Sequence, residues 1–186
     1  KRPLVLLNAA ETPDATPIAT ARRRLRERAG LSPTTKVVLF QGWMSEERNL
    51  LALVRAVPFL PEDSALVLIG YGAHEPELRR AVAGQSWAER VRFLGAMENR
   101  ELAAFTTGAD VGVIPYLPID LNHRLCSPNK FFEFVQCGVP VVAHDLPFFR
   151  TMAERYGVVA VGNFETPDGI AATVRGLLDD DTRRDQ

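Results

Sequence analysis

The sequence is poor in the residues that build metal sites and disulfide frameworks. Its 186 residues include two cysteines and three histidines, and neither set has the spacing of a zinc site. We therefore expect no bound metal, and we interpret Cys126 and Cys137 as reduced, buried thiols. A surplus of charge of one sign is also lacking, because the formal net charge is -1. Without a basic field, nucleic acid is not an expected partner.

Long apolar runs and targeting signals are lacking as well. No run approaches the roughly 20 apolar residues that span a bilayer, and no signal-peptide pattern opens the sequence. Membrane contact is therefore not visible in this sequence, and we expect a cytoplasmic location. The first residue is not Met, and a strand-like run enters at residues 1–8. We interpret the chain as a part of a longer protein.

Short apolar runs alternate with amphipathic segments about six times along the chain. The runs are apolar throughout, as in KVVLF and ALVLI, which favours parallel strands covered on both faces. The intervening segments carry apolar residues at helical spacing. This alternation predicts a doubly wound, Rossmann-like α/β domain with a parallel sheet of about six strands. The expected strands are residues 36–40, 65–69, 91–94, 111–114, 139–143 and 158–161.

The sequence divides into a short entry segment and one domain. Residues 1–16 are predicted to be a strand followed by a linker rich in turn formers, and residues 17–186 to be the Rossmann-like domain. The first helix, predicted at residues 17–29, carries five arginines, which we interpret as a solvated face. Sheets of this class bind ligands at the carboxyl ends of their strands, so the loops there should carry the site.

The most informative stretch is CSPNKFFEFVQCGVPVVAH, at residues 126–144. Ser127 is expected to cap a helix whose first residue is Pro128. Free N–H groups and the positive end of the helix dipole suit a phosphate there, and Lys130 adds a positive charge. Glu133 follows on the same face, where its carboxylate could accept hydrogen bonds from adjacent sugar hydroxyls. The alternative is a surface pair between Lys130 and Glu133 worth about 0.3 kcal/mol.

This stretch resembles the signature S-P-x-K-x-x-E-x-x-x-x-G-x-P-V-V of the group 1 (glycogen-synthase-like) retaining glycosyltransferases. Their GT-B architecture joins two Rossmann-like domains, and the resemblance identifies this chain as the C-terminal, donor-binding one. It implies that Glu133 binds the nucleotide ribose and that the helix tip binds the diphosphate. The matching positions are Ser127, Pro128, Lys130, Glu133, Gly138, Pro140, Val141 and Val142.

Two other segments resemble landmarks of the same family. In FQGWMSEERNL, Gly42 and Arg48 match a Gly-Arg-x5-Lys-Gly segment whose basic residues grip the donor diphosphate, whereas Trp43 replaces the first of those residues. In LIGYG, Gly70 and Gly72 match a loop that borders the donor pocket.

One position departs from the family pattern. The family often carries a second Glu eight residues before the ribose-binding one, near the donor sugar, and Leu125 stands there in this sequence. Our hypothesis is that Ser127, Asn129 and backbone N–H groups compensate in donor binding.

The resemblance implies retaining transfer of a glycosyl group from a nucleotide sugar, with a UDP-sugar as the expected donor and no cofactor or metal. Lys130 and Arg48 would be the catalytic cations on the leaving diphosphate. The partner would be an N-terminal acceptor domain of the same protein, so we expect this chain alone to be inactive. The donor-binding set is expected to comprise Glu133, Gly42, Ser127, Asn129, Gly70 and Gly72.

Two alternatives remain open at this point. A UDP-sugar 2-epimerase has the same two-domain architecture, and its C-terminal half also binds UDP. A non-enzymatic α/β binding domain, such as a receiver, would need an acidic cluster after the first strand, where Gln41 and Gly42 stand instead.

Overall fold

The computed structural model describes residues 16–179, apart from the side chains of residues 99 and 100, and contains a sheet of parallel strands. Of the strand and linker predicted at residues 1–16, residues 1–15 lie outside the described residues, and so does the chain end at residues 180–186. The strands are β1 (Lys36–Trp43), β2 (Ser64–Tyr71), β3 (Val91–Gly95), β4 (Val111–Ile114), β5 (Val141–His144) and β6 (Val159–Gly162).

The strand order is β3-β2-β1-β4-β5-β6, and every neighbouring pair is parallel. This is the order of the doubly wound mononucleotide-binding fold, and it confirms the predicted six-stranded, Rossmann-like class. The direction of winding reverses between β1 and β4. Ligands of such sheets bind in the crevice at the carboxyl ends of the two strands that flank this reversal.

Helices cover both faces of the sheet, which explains why its strands are apolar on both sides. They are α1 (Ile18–Ala29), α2 (Leu50–Ala56), α3 (Glu75–Val82), α4 (Asn99–Thr106), α5 (Leu121–Leu125), α6 (Asn129–Gln136), α7 (Pro147–Tyr156) and α8 (Pro167–Leu178). Val38 and Phe40 of β1 pack towards α2, α3 and α8, whereas Val37 and Leu39 pack towards α1, α6 and α7. Among the described helices, none has the length and apolar character needed to cross a bilayer.

β1 and β2 extend past their predicted ends, and their pairing continues to Trp43 and Tyr71. Gly42 and Gly70 lie opposite each other in this extension, both with φ at 140°. The two backbones approach so closely that a Cβ on Gly70 would collide with the carbonyl oxygen of Gly42. Glycine therefore lets the two strands stay paired beyond the point where the apolar pattern stops.

The segment between β4 and α6 contains the short helix α5, which the apolar pattern of the sequence does not indicate. Asp120 caps this short helix, because its Oδ1 accepts the backbone N–H of His123 at 2.7 Å. The same oxygen lies 2.9 Å from Nδ1 of His123. An N-cap aspartate is a sequence signal for a helix start, but the prolines around it obscured that signal.

Arg26 is buried, which corrects the interpretation of the arginine-rich helix as a solvated face at this position, whereas Arg23, Arg24 and Arg28 are exposed. Its guanidinium donates to Oδ2 of Asp110 at 2.7 Å and to the carbonyl oxygens of Thr35 and Gly108. Asp110 also accepts the backbone N–H of Val37 at 2.7 Å. Asp110 is therefore a structural residue that ties α1 to the start of β1, at the sheet edge opposite the carboxyl ends.

Candidate functional site

A chain of hydrogen bonds joins α4, β1 and α6 near the carboxyl end of β1. Oγ1 of Thr106 donates to Oε1 of Gln41 at 2.7 Å, and Nε2 of Gln41 donates to Oε2 of Glu133 at 2.7 Å. Nζ of Lys130 lies 2.9 and 2.8 Å from the two carboxylate oxygens of Glu133. We call these four residues the Glu133 network. It runs from the core to the surface, because Thr106 and Gln41 are 1% and 2% exposed and Lys130 and Glu133 are 28% and 26% exposed.

Lys130 and Glu133 meet on one face of α6, as their spacing predicts. An ordinary surface pair of this kind contributes little to stability and needs no further partner. Here the buried amide of Gln41 donates to the same carboxylate, and burying an amide costs free energy unless it is hydrogen-bonded. The interpretation as a plain surface pair therefore leaves Gln41 without an explanation.

Arg48 forms a second part of the candidate site by lying over a buried tyrosine. Its guanidinium carbon is 4.2 Å from the ring centroid of Tyr116, which follows β4 and is 7% exposed. Burial raises the pKa of Tyr116 above its ordinary value of 10.0, and the charge of Arg48 opposes this shift. The charge of Glu133 also raises the pKa of Tyr116. Arg48 and Glu133 therefore both lie near Tyr116.

The first turn of α6 begins one residue later than the sequence predicts. Pro128 is the N-cap and Asn129 the first helical residue, so the prediction that Ser127 caps the helix is wrong. The extended backbone of Pro128, with φ at -69° and ψ at 135°, suits an N-cap position and leaves the serine outside the helix. No described side chain caps α6. The first-turn N–H groups beside Lys130 can therefore face an anion.

The three glycines predicted to bind the donor lie along the carboxyl edge of β1 and β2. A Cβ on Gly42 would lie 3.6 Å from Cε of Lys130, so this glycine adjoins the Glu133 network. Gly70 packs against Gly42, and a Cβ on Gly72 would collide with the carbonyl oxygen of Met44. Close backbone packing accounts for Gly70 and Gly72, and their contact with a donor stays a prediction.

Apolar side chains border the same edge of the sheet. Trp43 and Tyr71 end their strands as neighbours, 50% and 58% exposed, with ring centroids 4.9 Å apart in an edge-to-face contact. Leu125, at the end of α5, is 60% exposed. Trp43 and Leu125 occupy the two positions where the family resemblance leads one to expect Arg and Glu. The edge therefore offers apolar surface at both positions where the family often carries charge.

Two free thiols lie in the described part of the chain. Cys126 and Cys137 are free but only partly buried, which corrects the expectation of buried thiols, and this partial burial raises the pKa of both thiols above the ordinary value of 9.0. The charge of Arg48 opposes the shift at Cys126, which places that thiol near the site. Within residues 16–179, no group of three or more His, Cys, Asp and Glu side chains could hold a metal ion.

Three residues of the site were missed in the sequence analysis: Gln41, Thr106 and Tyr116. Gln41 did carry a signal, since it is the polar residue in the otherwise apolar, buried stretch at residues 37–41. Thr106 and Tyr116 carry none, because a threonine in a helix and a tyrosine after a strand are ordinary occupants of those positions.

Comparison with known proteins shows a family match over most of the chain. A family model described as glycosyl transferases group 1 matches residues 35–180. The D-inositol 3-phosphate glycosyltransferase of Xylanimonas cellulosilytica is 34% identical over 179 residues, which is 93% of this chain and 41% of the relative. A GDP-mannose-dependent monoacylated alpha-(1-6)-phosphatidylinositol monomannoside mannosyltransferase of Corynebacterium glutamicum is 27% identical over 169 residues, 86% and 42% of the two chains. The chain thus spans less than half the length of these relatives.

Solved structures with the same fold include Alr3699/HepE of Anabaena in complex with UDP. It has a TM-score of 0.74 and 18% identity, over 91% of this chain and 45% of that one. The C-terminal domain of a group 1 glycosyl transferase family protein of Francisella tularensis has a TM-score of 0.67 and 14% identity, over 92% and 87% of the two chains. The likeness covers less than half of the first protein and nearly all of the second, an isolated C-terminal domain.

Proposed function

The chain belongs to the group 1 glycosyl transferases, and on that premise we propose that it is the half of a GT-B enzyme that binds a nucleotide-sugar donor for retaining transfer. The observation that carries the proposal is the carboxylate of Glu133, held by Gln41 and Lys130 beside the Arg48–Tyr116 pair. A nucleoside diphosphate presents a ribose diol, which needs an acceptor, and a diphosphate, which needs cations. The crevice between β1 and β4 offers both.

In the proposed complex, Glu133 accepts hydrogen bonds from the ribose hydroxyls. Lys130 leaves its ion pair with Glu133 and turns to the diphosphate, which also meets Arg48 and the N-terminus of α6. During transfer, the bond between the anomeric carbon and the diphosphate oxygen breaks, and the oxygen keeps the electron pair. Lys130, Arg48 and the helix dipole stabilise the charge that develops there. Both cations therefore act on the leaving group.

The remaining donor-binding residues of the proposal lie beside these groups in the sequence and the fold. Gly42 leaves room for the side chain of Lys130, and Asn129 is exposed in the first turn of α6. Ser127, Gly70 and Gly72 complete the proposed set. These glycines keep the edge of the sheet free of side chains, so that a ligand can approach the backbone.

We propose UDP as the nucleotide, because structures with this fold include complexes with UDP and with UDP-glucose. GDP is the competing choice, since the relative of Corynebacterium glutamicum is described as GDP-mannose-dependent. The relatives differ in their named acceptors, which include an inositol phosphate and a phosphatidylinositol mannoside. The proposal is therefore confined to the donor. Two free cysteines favour a reducing compartment, so the proposed location is cytoplasmic.

We expect the chain by itself to bind the donor without turning it over. In the proposed enzyme, the other Rossmann-like domain supplies the acceptor site and closes over the donor. The family match favours glycosyl transfer over an epimerase-like half or a non-enzymatic binding domain. Donor binding is therefore the property of this chain to measure.

Isothermal titration of the 186-residue chain with UDP, GDP, ADP and dTDP tests the proposal. We expect saturable binding of one nucleotide, with UDP the tightest. Glu133→Ala removes the acceptor of the ribose diol and should weaken binding by roughly 10-fold or more. Arg48→Ala removes a cation from the diphosphate and should weaken it by about 10-fold.

A matched control is available on α1. Arg23 and Glu27 form an exposed pair four residues apart, 3.8 Å between Nε and Oε1, near the opposite edge of the sheet. Glu27→Ala and Arg23→Ala should leave nucleotide binding unchanged. The proposal is overturned if the folded chain binds no nucleotide at millimolar concentration, or if Glu133→Ala binds as tightly as the unmodified chain.

A further inference from the structure

Gln41 is a buried polar side chain that the proposed reaction does not itself require. It is 2% exposed, in a strand whose other buried residues are apolar. Leu or Val at this position would pack against the sheet without burying an amide. Burial of an amide is tolerated when its hydrogen bonds are satisfied, and here the partners are Thr106 and Glu133. The two contacts account for both ends of the amide.

The orientation of this amide is set by the carboxylate of Glu133. Nε2 faces Oε2 of Glu133 at 2.7 Å, where a carboxylate oxygen can only accept. Oε1 faces the hydroxyl of Thr106 at 2.7 Å, and the single proton of that hydroxyl is shared between Oε1 and the carbonyl oxygen of Leu102 at 2.8 Å. A flipped amide would set its oxygen against the carboxylate. Glu133 therefore selects one orientation, with the donor end directed at the carboxylate and the oxygen end at Thr106.

The two oxygens of Glu133 have different partners. Oε2 accepts from Gln41 and from Nζ of Lys130, whereas Oε1 accepts from Nζ of Lys130. If Lys130 turns to a diphosphate, the hydrogen bond from Gln41 is the one that remains within this network. It comes from the core side and therefore leaves the solvent side of the carboxylate to a ligand.

We infer that Gln41, which contacts Thr106 at its oxygen end, is a positioning residue that holds the carboxylate of Glu133 ready for the two ribose hydroxyls once Lys130 engages the diphosphate. This inference rests on the proposed function and adds a buried determinant of ribose recognition to it. A carboxylate held by a buried donor loses less conformational entropy when the ribose binds. The gain applies to ligands that carry the 2′ and 3′ hydroxyls and not to ligands that lack them.

The test compares UDP with 2′,3′-dideoxy-UDP by isothermal titration of the 186-residue chain and its variants. Gln41→Met keeps the length of the side chain and removes both hydrogen-bonding ends. It should weaken UDP binding by roughly 5- to 30-fold and change dideoxy-UDP binding by less than about twofold. Thr106→Val keeps the volume of the side chain but removes the hydroxyl that contacts the oxygen end of the amide. It should produce a smaller loss, again confined to UDP, and Thr106→Ser should restore binding.

Ser64→Ala is the matched control for the loss of a buried hydrogen bond. Ser64 is 1% exposed and its Oγ donates to the carbonyl oxygen of Pro61 at 2.6 Å, at the start of β2. This variant should leave the ratio of the two affinities unchanged, and thermal unfolding of each variant reports whether it is folded.

The outcomes separate the inference from the proposed function. If the unmodified chain prefers UDP, Glu133→Ala abolishes the preference, and Gln41→Met keeps it, Gln41 is not a positioning residue and the donor site stands. Equal weakening of both ligands by Gln41→Met indicates a structural role and also overturns the inference. If the unmodified chain binds both ligands equally, or neither, the ribose role of Glu133 fails and the inference fails with it.

Discussion

Arg48 lies over the ring of Tyr116. Tyr116 lies under the guanidinium of Arg48 at 4.2 Å and is itself buried, so the arginine packs on a ring that the core holds in place. An arginine stacked in this way keeps its N–H donors directed outwards, where a diphosphate can reach them. A lysine at position 48 would carry the charge without the stack or the planar fork of donors.

Tyr116→Leu should weaken nucleotide binding by about 3- to 10-fold, because Arg48 loses the ring that fixes it. The measurement is titration with UDP beside a matched variant at another arginine–aromatic contact. Arg79 lies over Phe93 at 4.3 Å, between α3 and β3, and Phe93→Leu should leave the affinity unchanged. Equal affinities for Tyr116→Leu and the unmodified chain would show that Arg48 needs no such support.

Contacts within one element could be predicted from the sequence, and contacts between elements could not. Lys130 and Glu133 are three residues apart on α6, so helical geometry alone brings them together. Gln41 lies 65 residues from Thr106 and 92 from Glu133. Only the order of the strands and the packing of α4 and α6 bring those side chains into contact.

At the scale of elements, the site depends on how closely α6 packs on the sheet. Gly112 of β4 lies beneath Phe134, and a Cβ there would be 2.6 Å from Cδ1 of that ring. Phe134 is fully buried and is adjacent to Glu133 in the same helix. The absence of a side chain at position 112 therefore sets the height of α6 above the sheet, and with it the distance from Glu133 to Gln41.

Gly112→Ala should destabilise the chain by about 1–3 kcal/mol, because the methyl group overpacks the core against the ring of Phe134. It should also weaken UDP binding, since α6 has to move away from β1. Urea unfolding and titration measure the two effects. Gly176→Ala is the control: nothing lies within 4 Å of a Cβ there, in α8, so stability should stay the same or rise by about 0.5–1 kcal/mol. A Gly112→Ala variant as stable as the unmodified chain would contradict this account of the packing.

The sequence predicted the long, periodic elements well and the short, locally determined ones poorly. Apolar runs predicted each of the six strands, because parallel strands that are covered on both faces consist mainly of apolar residues. α5 was missed, since five residues are too few for a helical period and the cap at Asp120 is the main signal. The extra length of β1 and β2 depends on two opposed glycines, and an apolar pattern does not show which glycines face each other.

At the scale of the whole molecule, the class of fold was predictable and its strand order less so. Alternating strands and helices require a parallel sheet with two covered faces. The point at which the winding reverses depends on which helix covers which face of the sheet. The residues that decide this are distributed over the hydrophobic clusters on both faces. This point, between β1 and β4, is also where the candidate site lies.

The stability of the molecule should fall at alkaline pH. Burial raises the pKa of Tyr116, Cys126 and Cys137, so the unfolded chain loses these protons at lower pH than the folded chain. Above about pH 9 the folded state therefore holds more protons, and the free energy of unfolding decreases as pH rises. Below about pH 8 all three groups are protonated in both states and contribute no slope. Urea unfolding at a series of pH values measures the change.

Tyr116→Phe and Cys137→Ala each remove one of these titrating groups, so each should flatten the alkaline decline. The quantity compared is the slope of the free energy of unfolding against pH, which a uniform loss of stability does not alter. A free energy of unfolding that is constant or rising between about pH 8 and about pH 10 would contradict the assignment.

The half-exposed indole of Trp43 has an optical consequence. The chain has two tryptophans, and the other, Trp87, packs against the core. An indole in water emits at longer wavelength than one in an apolar setting, so the two residues have separable fluorescence. Replacing Trp87 by Phe leaves one emitter at the edge where β1 and β2 end. The emission wavelength of Trp43 then reports, without any added dye, when a ligand or another domain covers that edge.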